Sequence, residues 1–166
     1  MEEINWSTFT LRIPIRAEIQ QIYNAWTTSA ALESWFLRKA EFTTAQGAPR
    51  NSDEAIQAGD QYAWYWHGYP EAVVEHGKIL EANGKDKLKF EFGKAGVVTL
   101  NVITVDGETV AEIIQEEIPL DEQAKKNYHV GCSVGWTFYL ANLKSILEGG
   151  LDLRNRNENI PLVVSS

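Results

Sequence analysis

The sequence predicts an α+β domain: one curved antiparallel sheet of about six or seven strands, two short helices after the first strand, and a long C-terminal helix. Three observations carry this. The apolar period changes from two to about 3.6 near Ala17. Five strand-like segments succeed one another between Asp60 and Glu117, separated by short turn signals. A sustained amphipathic run begins at Cys132 and stops at Gly149-Gly150.

Trp6 to Ile15 alternates, with Phe9, Leu11, Ile13 and Ile15 on one face and Thr8, Thr10 and Arg12 on the other. Pro14 marks this as an edge strand or its end. From Ala17 to Trp26 the apolar residues Ile19, Ile22, Tyr23 and Trp26 fall at i, i+3, i+4 and i+7, one face of a helix. Thr27-Thr28-Ser29 offers a cap for a second helix over Ala30 to Phe36. A strand over Arg38 to Thr44 is next, then residues 45–59, whose Gly, Pro, Asn, Ser and Asp content predicts a long, mobile surface loop.

The five strand candidates are Asp60–His67, Ala72–Glu81, Lys87–Phe92, Val97–Val105 and Thr109–Glu117. Sequential hairpins make a meander, and Asp106-Gly107 is the strongest turn signal among them. Pro119 stops the sheet, and Asp121 caps the start of the last helical stretch. In the last helix Cys132, Trp136, Tyr139, Leu140, Leu143, Ile146 and Leu147 share a face. Gly131 and Gly135 weaken its start and leave room above the sheet. Residues 151–166 form a tail expected to lie partly on the surface. The whole chain, 1–166, reads as one domain.

Composition narrows the function classes. Fifteen Lys and Arg against 23 Asp and Glu give a net charge of −8, which repels phosphate backbones and anionic lipid. No nucleic-acid or membrane partner is therefore expected. The single cysteine excludes an internal disulfide framework, and the N-terminus carries no signal-peptide pattern, so a cytoplasmic location is expected. Six Trp, six Tyr and six Phe are the anomaly. Much of that excess is aligned: Tyr62, Trp64 and Trp66 share one strand face. Three bulky aromatics in a row suit a deeply curved sheet. Leu88, Phe90, Phe92, Val98, Leu100 and Val102 alternate inward on neighbouring strands.

The motifs Ser34-Trp35-Phe36, Gly135-Trp136, Tyr139-Leu140-Ala141-Asn142-Leu143-Lys144, Leu147-Glu148-Gly149-Gly150 and Asp152-Leu153-Arg154, in this element order, resemble the START/Bet v 1-like (SRPBCC) superfamily. More narrowly, the chain is similar to small proteins like the C-terminal domain of the activator of Hsp90 ATPase. The resemblance spans roughly residues 8 to 155 and implies a helix-grip fold, the sheet wrapped around the long helix with a cavity between them. Its expected lining is Trp35, Tyr62, Trp64, Trp66, Phe90, Leu100, Cys132, Trp136 and Tyr139. Those aromatics either grip a flat, aromatic or lipid-like ligand or fill a core that binds nothing.

No catalytic residue, metal ligand or cofactor motif is assigned. His129 and Cys132 stand at i, i+3 but lack an oxyanion site, and Cys132 reads as a buried structural thiol. His67, His76 and His129 lack metal-ligand spacing. Glu112 and Glu116 read as solvated carboxylates of the convex face; a general-acid role would need one of them buried. The favoured reading is a binding protein for a small hydrophobic molecule, monomeric or homodimeric. The alternatives implied by the resemblance are a stress-response regulator with an Hsp90-type chaperone as partner, or a cyclase/dehydratase-like enzyme using His67, His129 or Tyr65.

Overall fold

The structure is a computed structural model, and it describes residues 2–164. Seven antiparallel strands form one open sheet: β1 (Phe9–Pro14), β2 (Lys39–Thr43), β3 (Gln61–Tyr65), β4 (Glu75–Ala82), β5 (Lys87–Glu91), β6 (Val97–Val105) and β7 (Glu108–Glu116). Their order is β1-β7-β6-β5-β4-β3-β2, a meander closed at one end by the first strand. Helices α1 (Ile19–Asn24) and α2 (Ser29–Trp35) follow β1. The long helical run opens as α3 (Glu122–Ala124), continues through a π-helical segment (Lys125–Val130) and becomes α4 (Gly131–Leu147). This is the α+β helix-grip fold expected from the sequence.

Local chemistry accounts for the joints. Pro14 ends β1, which pairs only with β7, so its missing N–H costs no ladder bond. Asp106 and Gly107 both take positive φ, 49° and 78°, as a two-residue hairpin between β6 and β7 requires. The Thr28 hydroxyl accepts from Ala31 N at 3.1 Å and caps α2, and the Asp121 carboxylate accepts from Ala124 N at 2.9 Å and caps α3. Thr28→Ala is expected to cost about 1 kcal/mol, read as a lower urea midpoint with an unchanged slope.

Several boundaries differ from expectation; β3 ends at Tyr65, so Trp66 and His67 lie beyond the strand expected over Asp60–His67. β4 starts at Glu75 rather than Ala72, because Val73 N bonds back to Pro70 O at 2.9 Å and holds that stretch in a turn outside the ladder. The long helix is not regular from its cap: the π segment inserts an extra residue per turn, a departure that apolar spacing does not report. Residues 45–59 carry no helix or named strand. Ile56 from this stretch is buried, its N–H bonding Thr27 O at 2.9 Å, and Arg50 forms an ion pair with buried Asp60.

The core lies between the concave sheet face and α4, and its largest buried side chains include Trp26, Trp35, Phe36, Trp64 and Phe90. A further joint pins the chain after α4 to α2. Arg154 is buried, donates to the carbonyls of Leu37 (3.0 Å) and Glu33 (3.1 Å), and forks onto Asp152. Asn142, fully buried on α4, donates to Trp35 O at 2.7 Å and accepts from Leu153 N at 2.7 Å. Among the described residues no helix is long and apolar enough to cross a membrane.

Candidate functional site

The space between sheet and helix is occupied by aromatic rings. Trp136 of α4 is the hub, with ring centroids 5.1 Å from Phe36, 5.5 Å from Phe92, 5.7 Å from Trp26 and 6.5 Å from Phe90. Tyr62 stacks on Trp64 at 3.9 Å, and Trp64 meets Phe90 edge-on at 5.2 Å. Three polar tips are anchored: Trp136 Nε1 donates to Gln115 Oε1 at 2.9 Å, Trp35 Nε1 to Ala25 O at 2.8 Å, and Tyr62 OH to Glu91 O at 2.6 Å, whereas the buried Nε1 groups of Trp26 and Trp64 have no partner among the described residues. Room for the Tyr62 ring exists only because position 77 is glycine; a Cβ there would collide with that ring and with Glu91 O. Thus Trp35, Tyr62, Trp64, Phe90, Leu100 and Trp136 are brought together as one buried cluster.

Empty volume lies at the mouth of the grip. A groove of ≈ 720 Å³ runs between the β3–β4 connection, the N-terminal half of α4 and the tail. Trp66 and Tyr139, both expected site residues, line it; Trp66 is half-buried and Tyr139 is buried, 8% exposed. Its other walls include Tyr69, Val73 and Val134 with Asn155, Glu158 and residues 160–164 of the tail. Six of the exposed large apolar side chains (Tyr69, Val73, Val134, Ile160, Leu162 and Val164) converge on this one groove, a concentration typical of a binding surface. Gly131 and Gly135 form the helical wall, and a Cβ at Gly135 would meet open space. Val134, an apolar residue off the core-facing stripe, carried the sequence signal for this wall. Nothing in the local pattern showed that the tail would return to meet it.

The titratable groups are sorted by their surroundings. Cys132 is half-buried; burial raises its thiol, the Gln115 hydrogen bond opposes this, and the Glu75 charge adds to it. A thiol so placed is a poor nucleophile at neutral pH. His129 does not pair with it, because its Nε2 lies 3.0 Å from Thr8 O and its ring meets Trp6 and Phe9 edge-on. Burial, then the charges of Arg156, Arg154 and Arg38, lowers the His67 imidazole and favours its neutral form. Tyr65 lies under Arg38 and Lys39. Glu112, expected to be solvated, is instead buried on the convex side, because the Arg12 guanidinium (2.6 Å) and the Asn101 amide (3.1 Å) satisfy its carboxylate across the strands. Among the described residues no group of three or more His, Cys, Asp or Glu side chains is arranged to hold a metal ion.

The profile of the family described as Activator of Hsp90 ATPase homolog 1-like protein matches residues 16–148. The chain belongs to that family. No curated protein matches it in sequence. Among solved structures, a Staphylococcus saprophyticus protein is 16% identical with a TM-score of 0.67, the match covering 89% of this chain and 96% of that one. The Aha1 dimer from Colwellia psychrerythraea is 16% identical, TM-score 0.65, with 86% and 97% covered. DynU16, from the dynemicin biosynthetic locus, is 14% identical, TM-score 0.67, with 90% of this chain and 50% of that one covered. At such identities the likeness is one of fold. In this activator of Hsp90 ATPase homolog 1-like chain, the segment 155–164 that walls the groove lies beyond the family match.

Proposed function

We propose that the protein binds a small apolar or aromatic molecule, not at the centre of the grip but in the groove at its mouth. One observation carries this: exposed apolar side chains from three separate chain segments converge on a ≈ 720 Å³ groove, a volume suited to one small ligand. The packed rings behind it make a rigid floor. Trp66 and Tyr139 supply an amphipathic edge, apolar in body and able to orient a polar group on the guest. Cys132, half-buried and free, suits a reducing compartment, so the reading includes a cytoplasmic location.

Gly135→Leu separates binding from folding. The new side chain enters open groove space, while loss of a mid-helix glycine stabilises α4 by up to about 1 kcal/mol. Titration with the neutral fluorophore N-phenyl-1-naphthylamine is expected to saturate at one site in the wild type. Gly135→Leu is expected to weaken it about tenfold or more, with no loss of thermal stability. Non-saturable fluorescence, or equal affinity in both proteins, removes this reading.

The family description favours a second reading, a regulator of an Hsp90-type chaperone acting through its surface. Stimulation of Hsp90 ATPase that survives Gly135→Leu would support it over the first. The Colwellia relative is described as a dimer, and light scattering on this chain decides between monomer and homodimer.

A further inference from the structure

The chain after α4 changes its attachment within a few residues. Up to Arg154 it is clamped: Leu153 N donates to Asn142 Oδ1 at 2.7 Å, and the buried Arg154 guanidinium holds Leu37 O, Glu33 O and Asp152. Arg156 keeps one ion pair, to Asp152 at 3.0 Å. Beyond it the hydrogen bonds turn back on the segment itself. Asn155 Nδ2 donates to Asn157 O at 3.0 Å, Asn157 N to Asn155 Oδ1 and Asn159 N to Asn157 Oδ1 at 3.1 Å, and Ile160 N to Asn157 O at 3.2 Å. Among the described residues no hydrogen bond or ion pair joins residues 157–164 to a residue before Asn155.

The same segment is apolar where it reaches the groove. Ile160, Pro161, Leu162, Val163 and Val164 all line it, yet Ile160 is 50%, Leu162 101% and Val164 74% exposed. On the other wall Tyr69, Val73 and Val134 are exposed too. Two apolar walls therefore border ≈ 720 Å³, and neither buries the other. A guest that fills the gap removes apolar area of both walls from water, which favours drawing them together. Leu162 supplies a hinge. Its φ of 58° lies in the left-handed region, unfavourable for a bulky side chain, and no packing enforces it on a side chain so exposed. Rotation of this one residue to negative φ relieves that cost and re-aims the side chains around it.

Resting on the groove reading, we propose that residues 157–164 form a strap that closes on the occupied groove. It is rooted in the Arg154 clamp, turns at Asn155–Asn159, and is driven shut by burial of Ile160, Leu162 and Val164 against the guest. The opposite wall stands on α4 and the β3–β4 connection and stays in place, so closure slows release of the guest more than its entry. The strap lies outside residues 16–148, the part of the chain that the family profile matches.

No Lys or Arg follows Arg156, whose side chain is 59% exposed at the foot of the strap. Trypsin cuts there only while the segment opens to enter the protease cleft, so the cutting rate reports closure. On the full-length protein, saturating N-phenyl-1-naphthylamine is expected to slow release of residues 157–166 about tenfold, read by mass spectrometry. Cutting at Lys85, exposed in the β4–β5 turn, is expected to be unchanged. Combined Ile160→Ser, Leu162→Ser and Val164→Ser keeps the clamp and the chain length, and all three side chains are exposed, so the melting temperature is expected to hold. In stopped flow this variant is expected to release the probe about tenfold faster, with an association rate within about twofold of wild type and no protection at Arg156. Cutting at Arg156 that ignores the probe, or a variant that releases it no faster, overturns the strap, while saturable binding that Gly135→Leu weakens keeps the groove. Tighter binding by the variant marks the segment as a plug and also overturns the strap. If the probe does not saturate in the wild type, the groove reading falls and the strap with it.

Discussion

Trp136→Ala is expected to cost about 3–5 kcal/mol, the range for removing a large aromatic from a close-packed core. Trp136 is 3% exposed and touches rings from the α1–α2 region, from β5 and from the turn after it. Its removal opens a void into which Trp26, Phe36, Phe90 and Phe92 cannot collapse, because each is held by further ring contacts of its own. Gln115 Oε1 is then left without its indole donor in a fully buried position. Trp136→Phe separates the two contributions: most of the volume stays, and the unpaired Gln115 oxygen alone costs about 1–3 kcal/mol. Thermal unfolding reads both, at roughly 2–4 °C per kcal/mol for a chain of this size. Equal melting temperatures for Trp136→Ala and wild type would show that the central rings are not the keystone of the grip.

The second large effect is at Arg154. Its side chain is fully buried and donates to two carbonyls at the end of α2 as well as to Asp152. Arg154→Ala strands the carbonyls of Glu33 and Leu37 and frees the tail at its root. The expected loss is about 3 kcal/mol, at the low end for a broken buried pair, because the 30%-exposed Asp152 carboxylate rehydrates. The same joint is pH-linked. Burial pushes the Asp152 carboxyl up, but the hydrogen bonds from Arg154 and Asn142 outweigh it and hold the group well below the usual carboxylate range. A depressed native pKa contributes stability at pH values above the unfolded value, near 4, and loses it as pH falls toward the native one. Wild type is therefore expected to lose stability below pH 4 more steeply than Arg154→Ala, in which the Asn142 and Arg156 bonds remain and the depression is smaller. Parallel acid titrations of the two proteins would contradict this.

Arg154 also marks the limit of what local pattern reports. Asp152-Leu153-Arg154 was legible as a motif but not as a buried clamp, because its partners are carbonyls of Glu33 and Leu37, more than a hundred residues away. The site shows the same division. Tyr62, Trp64 and Trp136 were legible as a converging aromatic set because each lies on a strand or helix whose period fixes its face. Whether that set encloses a cavity or fills one depends on how rings of comparable size interlock, and period carries no information on that.

The sequence alone therefore determined the α+β order of elements, the faces of the strands, the capping within Thr27-Thr28-Ser29 and at Asp121, and the aromatic wealth of the concave side. Those are one-dimensional properties, set by side-chain spacing and by backbone groups satisfied within a few residues. Only the tertiary structure decided that aromatic rings interlock between sheet and helix, and that a groove opens at the mouth with the tail as one of its walls. These outcomes depend on the volumes and charges that distant segments bring together. The aromatic excess thus builds the floor of the site, and the groove is made where that floor ends.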